Sequence, residues 1–164
     1  MSQIKENKVQ DVLILTGNDL SLKDLIEVSQ QTSPKVCIDD KSMNKMTQNR
    51  QFVEKVADRG DHVYGLTTGV GIRKNRIIDD DIMDKYNEQM LVDHAVGQGH
   101  SLPMKILNAS TILLLNSLAA GRTSVRPVVA EHIIKQLNTG NLYCTDIAQK
   151  FYSHKKIDNC YDHC

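Results

Sequence analysis

Residues 104–120 read MKILNASTILLLNSLAA. Ile106, Leu107, Ile112, Leu113, Leu114, Leu115, Leu118 and Ala119 leave almost no polar face on a helix drawn through them. A helix that is apolar nearly all round belongs at the centre of a bundle. Its ends are marked. Ser101-Leu102-Pro103 opens it, with proline at an early position where no donor is lost, and Gly121 closes it.

Reading outward from this helix gives the rest of the chain. Downstream, Pro127 starts another helix, with Val128, Val129, Ile133, Ile134 and Leu137 as its apolar side and Gly140 as its stop. Upstream, Asp79-Asp80-Asp81 places negative charge at a helix start, where the helix dipole favours it. That helix carries Ile82, Met83, Tyr86, Met90 and Leu91 and is broken by Gly97-Gln98-Gly99. Nearer the N-terminus, Val12-Leu13-Ile14-Leu15 and Lys35-Val36-Cys37-Ile38 are short apolar runs that read as strands. Ser21-Leu22-Lys23-Asp24 opens a helix between them with capping-box-like spacing, and Asp39-Asp40 caps a long polar helix running to Gly60. Its apolar positions include Met43, Met46, Phe52, Val53 and Val56. The expected fold class is mainly α, a small α/β N-terminal part leading into a helical bundle.

The bulk numbers bound the function. The 164 residues suffice for one domain with a core, and 20 basic against 20 acidic residues give a net charge of zero. Nothing in that balance favours a nucleic acid or an anionic membrane as partner. The N-terminus MSQIKENKVQ is too polar for a signal peptide, and the run Ile112 to Leu115 is far too short to cross a bilayer. A cytoplasmic location is the resulting expectation.

Cys144, Cys160 and Cys164 crowd the end of the chain, with His154 and His163 nearby, while Cys37 stands apart. Close-spaced ligand couples are missing, so free thiols are expected and no metal. Residues 1–140 form the expected domain. Residues 141–164, with three of the five tyrosines and poor periodicity, form a divergent and weakly ordered tail.

Three stretches could carry chemistry. Tyr64-Gly65-Leu66-Thr67-Thr68-Gly69-Val70-Gly71 gathers three of the nine glycines around one tyrosine. Glycine allows positive φ and close approach to a ligand, so the loop could close over a site and bring Tyr64 in as acid or base. A turn between two helices is the plainer reading. In Asp93-His94-Ala95-Val96-Gly97-Gln98-Gly99, His94 could face a cavity and hydrogen-bond a polar ring, or serve as a helix C-cap. In Asn116-Ser117-Leu118-Ala119-Ala120-Gly121-Arg122-Thr123-Ser124-Val125-Arg126-Pro127, Asn116 needs a buried partner and could brace the loop that follows; Arg122 and Arg126 could pin a carboxylate or a neighbouring chain.

Taken in order, YGLTTGVG, QMLVDHAVGQG and LLLNSLAAGRTSVRP resemble the N-terminal part of the histidine/phenylalanine/tyrosine ammonia-lyase family. The opening LILTGNDLSLKDLIEVSQ resembles that family's start, and the likeness spans roughly Val12 to Gly140. It implies the ammonia-lyase (aspartase-like) fold, truncated here. It also implies removal of ammonia from an aromatic amino acid to leave an α,β-unsaturated acid. Tyr64 would be the catalytic base, on a loop with Gly65, Thr68, Gly69 and Gly71. His94 would bind the substrate ring, which suits histidine or tyrosine, and Asn116 and Arg126 would give structural support. The family's electrophile is a methylidene-imidazolone formed autocatalytically from Ala-Ser-Gly.

The departures are specific. Leu114 stands where the family has Arg, Thr123-Ser124 where it has Ser-Gly, and Asp93 where it has the Ser before the pocket His. No Ala-Ser-Gly occurs in the chain. Without that electrophile the main stabiliser of the deamination transition state is lost, so the chain alone is expected to be inactive. The alternative is a non-catalytic binding or regulatory subunit that joins a full-length homologue. In either case the helix at 104–120 should lie partly uncovered and favour a homo-oligomer or another partner.

Overall fold

A computed structural model describes residues 8–9, 11–78, 80–93 and 101–142. Three strands, β1 (Lys8–Val9), β2 (Val12–Leu15) and β3 (Val36–Ile38), form one sheet in that order. β1 runs antiparallel to β2, and β2 parallel to β3 with Leu13 opposite Val36. The sheet is joined by α1 (Leu22–Ser29) and followed by α2 (Asp40–Asp58). Then come α3 (Asp80–Asp93), α4 (Met104–Ala119) and α5 (Pro127–Asn138). The mainly α architecture with a small α/β start follows the sequence expectation. The hairpin strand β1 was not foreseen; Asp11 supplies its turn at φ 65°.

Local chemistry accounts for the element ends. Ser21 Oγ accepts from the Asp24 amide at 3.1 Å and donates to the Asp24 carboxylate at 2.6 Å, starting α1. Asp39 Oδ1 accepts from the Ser42 amide at 3.1 Å, starting α2. Both bonds satisfy amides that a helix start would otherwise leave unpaired. Pro127 sits in the first turn of α5, and Gly140 follows its end at φ 69°.

The core lies between the sheet and α4. Leu13, Leu15 and Val36 from the sheet meet Val28 of α1, Met46 of α2, Ile112 and Leu115 of α4, and Leu137 of α5, all 2% exposed or less. On α4 the buried positions are Asn108, Thr111, Ile112, Leu115, Leu118 and Ala119, a stripe at helical spacing. The opposite face is open: Ile106, Leu113 and Leu114 are 47%, 48% and 50% exposed. The helix is central and covered on one side only, as expected for a helix left partly uncovered. On α5 the buried residue near the start is Ala130, while Val128 turns outward at 39% exposure; Phe52 of α2 is also mostly exposed.

Asparagine side chains tie the helices to the α/β part. Asn108 Nδ2 donates to the carbonyls of Ser29 and Gln31, each at 3.0 Å, closing the end of α1. Asn138 accepts from the Val36 amide and donates to the Val36 carbonyl, both at 2.9 Å. Its amide thus pairs with the outer edge of β3 as another strand would, which removes an exposed edge. Asn49 Nδ2 donates to the Gly121 carbonyl at 2.6 Å and holds the end of α4 to α2.

Cys37, on β3, is a free thiol. Burial, and then the nearby Asp39 and Asp40 carboxylates, push its pKa up, so it stays protonated at neutral pH.

The tightest junction is at Gly17. It has φ 86°, and a Cβ placed there would lie 2.4 Å from the Ala120 nitrogen and 2.5 Å from its Cα. Those atoms are backbone and cannot turn aside. Gly17→Ala is therefore expected to lower stability by at least ~3 kcal/mol, combining left-handed strain with an overpacked contact. Urea unfolding followed by circular dichroism measures this; a loss below ~1 kcal/mol would contradict the junction as described.

Candidate functional site

The segment from Asp61 to Ile78 folds back on itself. The Val63 carbonyl accepts from the amides of Leu66 and Thr67 at 3.0 Å each, winding a tight turn around Tyr64 and Gly65. Thr67 Oγ1 accepts from the Val63 amide at 2.8 Å and donates to the Asp61 carbonyl at 2.9 Å, so one hydroxyl closes the turn from inside. Thr68 bridges Ile77 in antiparallel fashion, supported by the bonds from the Gly69 amide to the Arg76 carbonyl and from Ile78 to Thr67. A single 3-10 turn, Gly71–Arg73, fills the tip.

The glycines differ in purpose. Gly65 and Gly71 have φ of 72° and 58°, conformations that other residues adopt only under strain. Gly69 and Thr68 are buried, and the Thr68 hydroxyl donates to the Gly69 carbonyl at 3.1 Å. Tyr64 is 67% exposed, and its phenol oxygen accepts from the Gly71 amide at 3.4 Å. The plain turn and the tyrosine-bearing loop of the sequence reading thus coincide: a well-tied turn presents Tyr64 outward.

α3 carries a second tyrosine into this region. The Tyr86 phenol oxygen accepts from the Val70 amide at 3.2 Å. Tyr86, Met83 and Met90 are half-buried, while Ile82 and Leu91 are exposed at 48% and 67%. At the C-terminal end of α3, Gln89 Nε2 donates to Asp93 Oδ1 at 2.6 Å, so the carboxylate that replaces the family's serine is engaged within its own helix. His94, the residue after Asp93, lies outside the described residues, as do Gly97, Gly99 and residues 143–164 with Cys144, Cys160, Cys164, His154 and His163. Among the described residues no cluster of metal-ligating side chains occurs.

The third motif serves a different junction. Asn116 Oδ1 accepts from the Gly17 amide at 3.0 Å. Its side chain therefore braces the turn after β2, 99 residues away in sequence, and not the loop that follows α4, as the sequence had suggested. That loop is braced by Asn49, through the Gly121 carbonyl and the Ser124 hydroxyl, which donates to Asn49 Oδ1 at 3.2 Å. Arg126 is the exposed N-cap residue of α5, and Arg122 is exposed as well. Tyr86 and Asn49 were missed as site residues because each reaches a backbone group far away in sequence, 16 and 72 residues off, which periodicity does not signal; the tie made by Thr67 is local to the loop.

These observations meet the comparisons with known proteins. Residues 20–143 match the aromatic amino acid lyase family. A histidine ammonia-lyase of Gloeobacter violaceus is 32% identical over 130 residues, 79% of this chain and 25% of that protein. One from Alkaliphilus metalliredigens is 31% identical over 126 residues, 77% of this chain and 25% of that protein. Among solved structures, the ergothioneine-degrading enzyme ergothionase of Treponema denticola superposes with a TM-score of 0.74 at 34% identity, covering 79% of this chain and 26% of that one. The histidine ammonia-lyase of Trypanosoma cruzi, at 22% identity and a TM-score of 0.68 over 76% of this chain and 24% of that one, shares the fold. The chain belongs to the aromatic amino acid lyase family, and it spans about a quarter of the length of the relatives it matches.

One departure from the family pattern has a physical cost. Ser124 sits at φ 55°, where the resemblance places glycine. The strain is of order 1 kcal/mol and is offset in part by the bond to Asn49. Ser124→Ala keeps the strain and loses the bond, and is expected to lower stability by about 1 kcal/mol. Ser124→Gly removes both and is expected to be more stable than the alanine variant by roughly 1 kcal/mol. Equilibrium unfolding of the two variants tests the order; alanine equal to or above glycine would refute it.

Proposed function

We propose that this chain is the base-bearing portion of an aromatic amino acid ammonia-lyase, with Tyr64 as the catalytic base and His94 as the residue that recognises the substrate ring. The observation that carries the reading is the loop geometry. Two left-handed glycines and the Thr67 hydroxyl build a turn that presents the Tyr64 side chain outward, 67% exposed. Histidine is the favoured substrate, since the two curated relatives cited above are histidine ammonia-lyases. An imidazole ring can share a hydrogen bond with a histidine in its pocket, which a plain phenyl ring cannot.

The methylidene-imidazolone that the family resemblance implies is built from Ala-Ser-Gly, and none of the 164 residues forms that tripeptide. The residues present do not furnish the electrophile. What they supply is a positioned phenol and the scaffold that holds it. We therefore expect the purified chain alone to release no ammonia from histidine, tyrosine or phenylalanine. The assay follows the ultraviolet absorbance of the unsaturated acid. Measurable turnover by the chain alone would refute the account of the missing electrophile.

A second reading is favoured by the open face of α4. Ile106, Leu113 and Leu114 are about half exposed on a helix whose other side is core. Such a face suits association, either between copies of this chain or with a full-length homologue, in a binding or regulatory role. Light scattering is expected to give a mass above that of the monomer, and Leu113→Lys with Leu114→Lys to reduce it. A stable monomer at micromolar concentration would count against this reading.

A further inference from the structure

Two phenols meet two consecutive backbone amides in the glycine loop. The Val70 amide donates to Tyr86 Oη at 3.2 Å, and the Gly71 amide donates to Tyr64 Oη at 3.4 Å. Tyr64 belongs to the loop itself, whereas Tyr86 belongs to α3, about two helical turns before Asp93. The residue after Asp93 is His94. The Tyr86 bond therefore joins the Tyr64 loop to the helix that leads into His94.

The bond sits where it has most leverage. Val70 is extended at φ −112°, and Gly71 turns left-handed immediately after it, so the peptide plane between them sets the direction of the loop tip. The loop's ties from Thr68 to Ile77 and from Thr67 to Asp61 and Val63 close it upon itself, whereas the Tyr86 bond reaches out to α3. Tyr86 is half-buried, so its ring is partly fixed by packing while its oxygen remains free to accept.

We propose that Tyr86 is a positioning residue that latches the Tyr64 loop to α3. The hydroxyl takes no part in proton transfer. It fixes where the Tyr64 phenol stands relative to α3. The catalytic consequence rests on the reading of Tyr64 as base, but the latch itself is measurable without turnover.

The test is amide hydrogen exchange, resolved by residue in nuclear magnetic resonance spectra of the full 164-residue chain, comparing wild type with Tyr86→Phe. Phenylalanine keeps the ring and deletes only the acceptor. Val70 and Gly71 are expected to exchange about 5-fold faster, as the loss of one ordinary hydrogen bond would give, with core amides such as Leu115 unchanged. The Tyr64 ring resonances are expected to shift in Tyr86→Phe, a signature that a purely structural role for Tyr86 would not produce. Unchanged exchange at Val70 would overturn the proposal. So would acceleration throughout the core, or loss of folding, because either would make Tyr86 a general stabiliser. Tyr64→Phe serves as the control and is expected to free Gly71 while leaving Val70 protected. Ammonia release plays no part in these readings, so failure of the latch and failure of the lyase reading are separable.

Discussion

The fold depends on how closely Gly17 approaches the end of α4. A backbone can come within a few ångströms of another backbone only where no Cβ intervenes, and here position 17 has none while positions 119 and 120 are alanines. The approach brings the Gly17 amide onto Asn116 Oδ1 at 3.0 Å, so the contact is hydrogen-bonded as well as tight. On the other side of the same helix end, Gly121 lies against the Lys45 side chain, and its carbonyl accepts from Asn49. α4 is thus held between the turn after β2 and the first half of α2. The sheet, α2 and α4 share one junction, and the core leucines pack around it.

Polar groups, more than apolar ones, set the orientation of the central helix. A helix that is apolar all round has no preferred face by hydrophobic burial alone. The phase comes from its amides and hydroxyls. Asn108 points inward because the carbonyls of Ser29 and Gln31 need donors. Ser110 and Ser117 can point outward because each bonds a carbonyl of its own helix, Leu107 at 2.9 Å and Leu113 at 3.0 Å. Turning the helix the other way would bury two self-satisfied serines and strand three backbone acceptors and donors of the α/β part. Asn138 makes the same point at the sheet edge, where its amide substitutes for a missing strand.

This explains how much was legible in the sequence. The order of elements was readable, because caps and stops are local: Ser21, Asp39, Pro127 and Gly140 each act within one turn of their own position. The glycine loop was readable for the same reason, since Gly65 and Gly71 need only their own φ. What was hidden acts across the chain. Asn116 was singled out as a buried amide in need of a partner, but its partner lies 99 residues away, where no spacing rule reaches. On α5 Val128, read as part of the apolar side, is 39% exposed, while Ala130 is fully buried. The left-handed Ser124 looked like a simple substitution, and only its φ reveals what the family's glycine does there.

The site and the open face of α4 are connected by what is lacking around them. Loop and α3 are joined to each other by Tyr86 and show no buried hydrophobic side chain among the described residues, whereas the α/β part and the inner side of α4 bury theirs almost completely. Stability is therefore unevenly distributed along the chain. The half built on the Gly17 junction has its own core, and the half that carries Tyr64 has hydrogen bonds but little apolar burial. The Tyr64 loop, on the less buried half, is held by fewer apolar contacts than the scaffold and can open at a lower cost in free energy. The same arrangement leaves Ile82, Leu91, Leu113 and Leu114 facing outward. Uncovered apolar surface thus lies on both halves, on α3 beside the Tyr64 loop and on the outer side of α4.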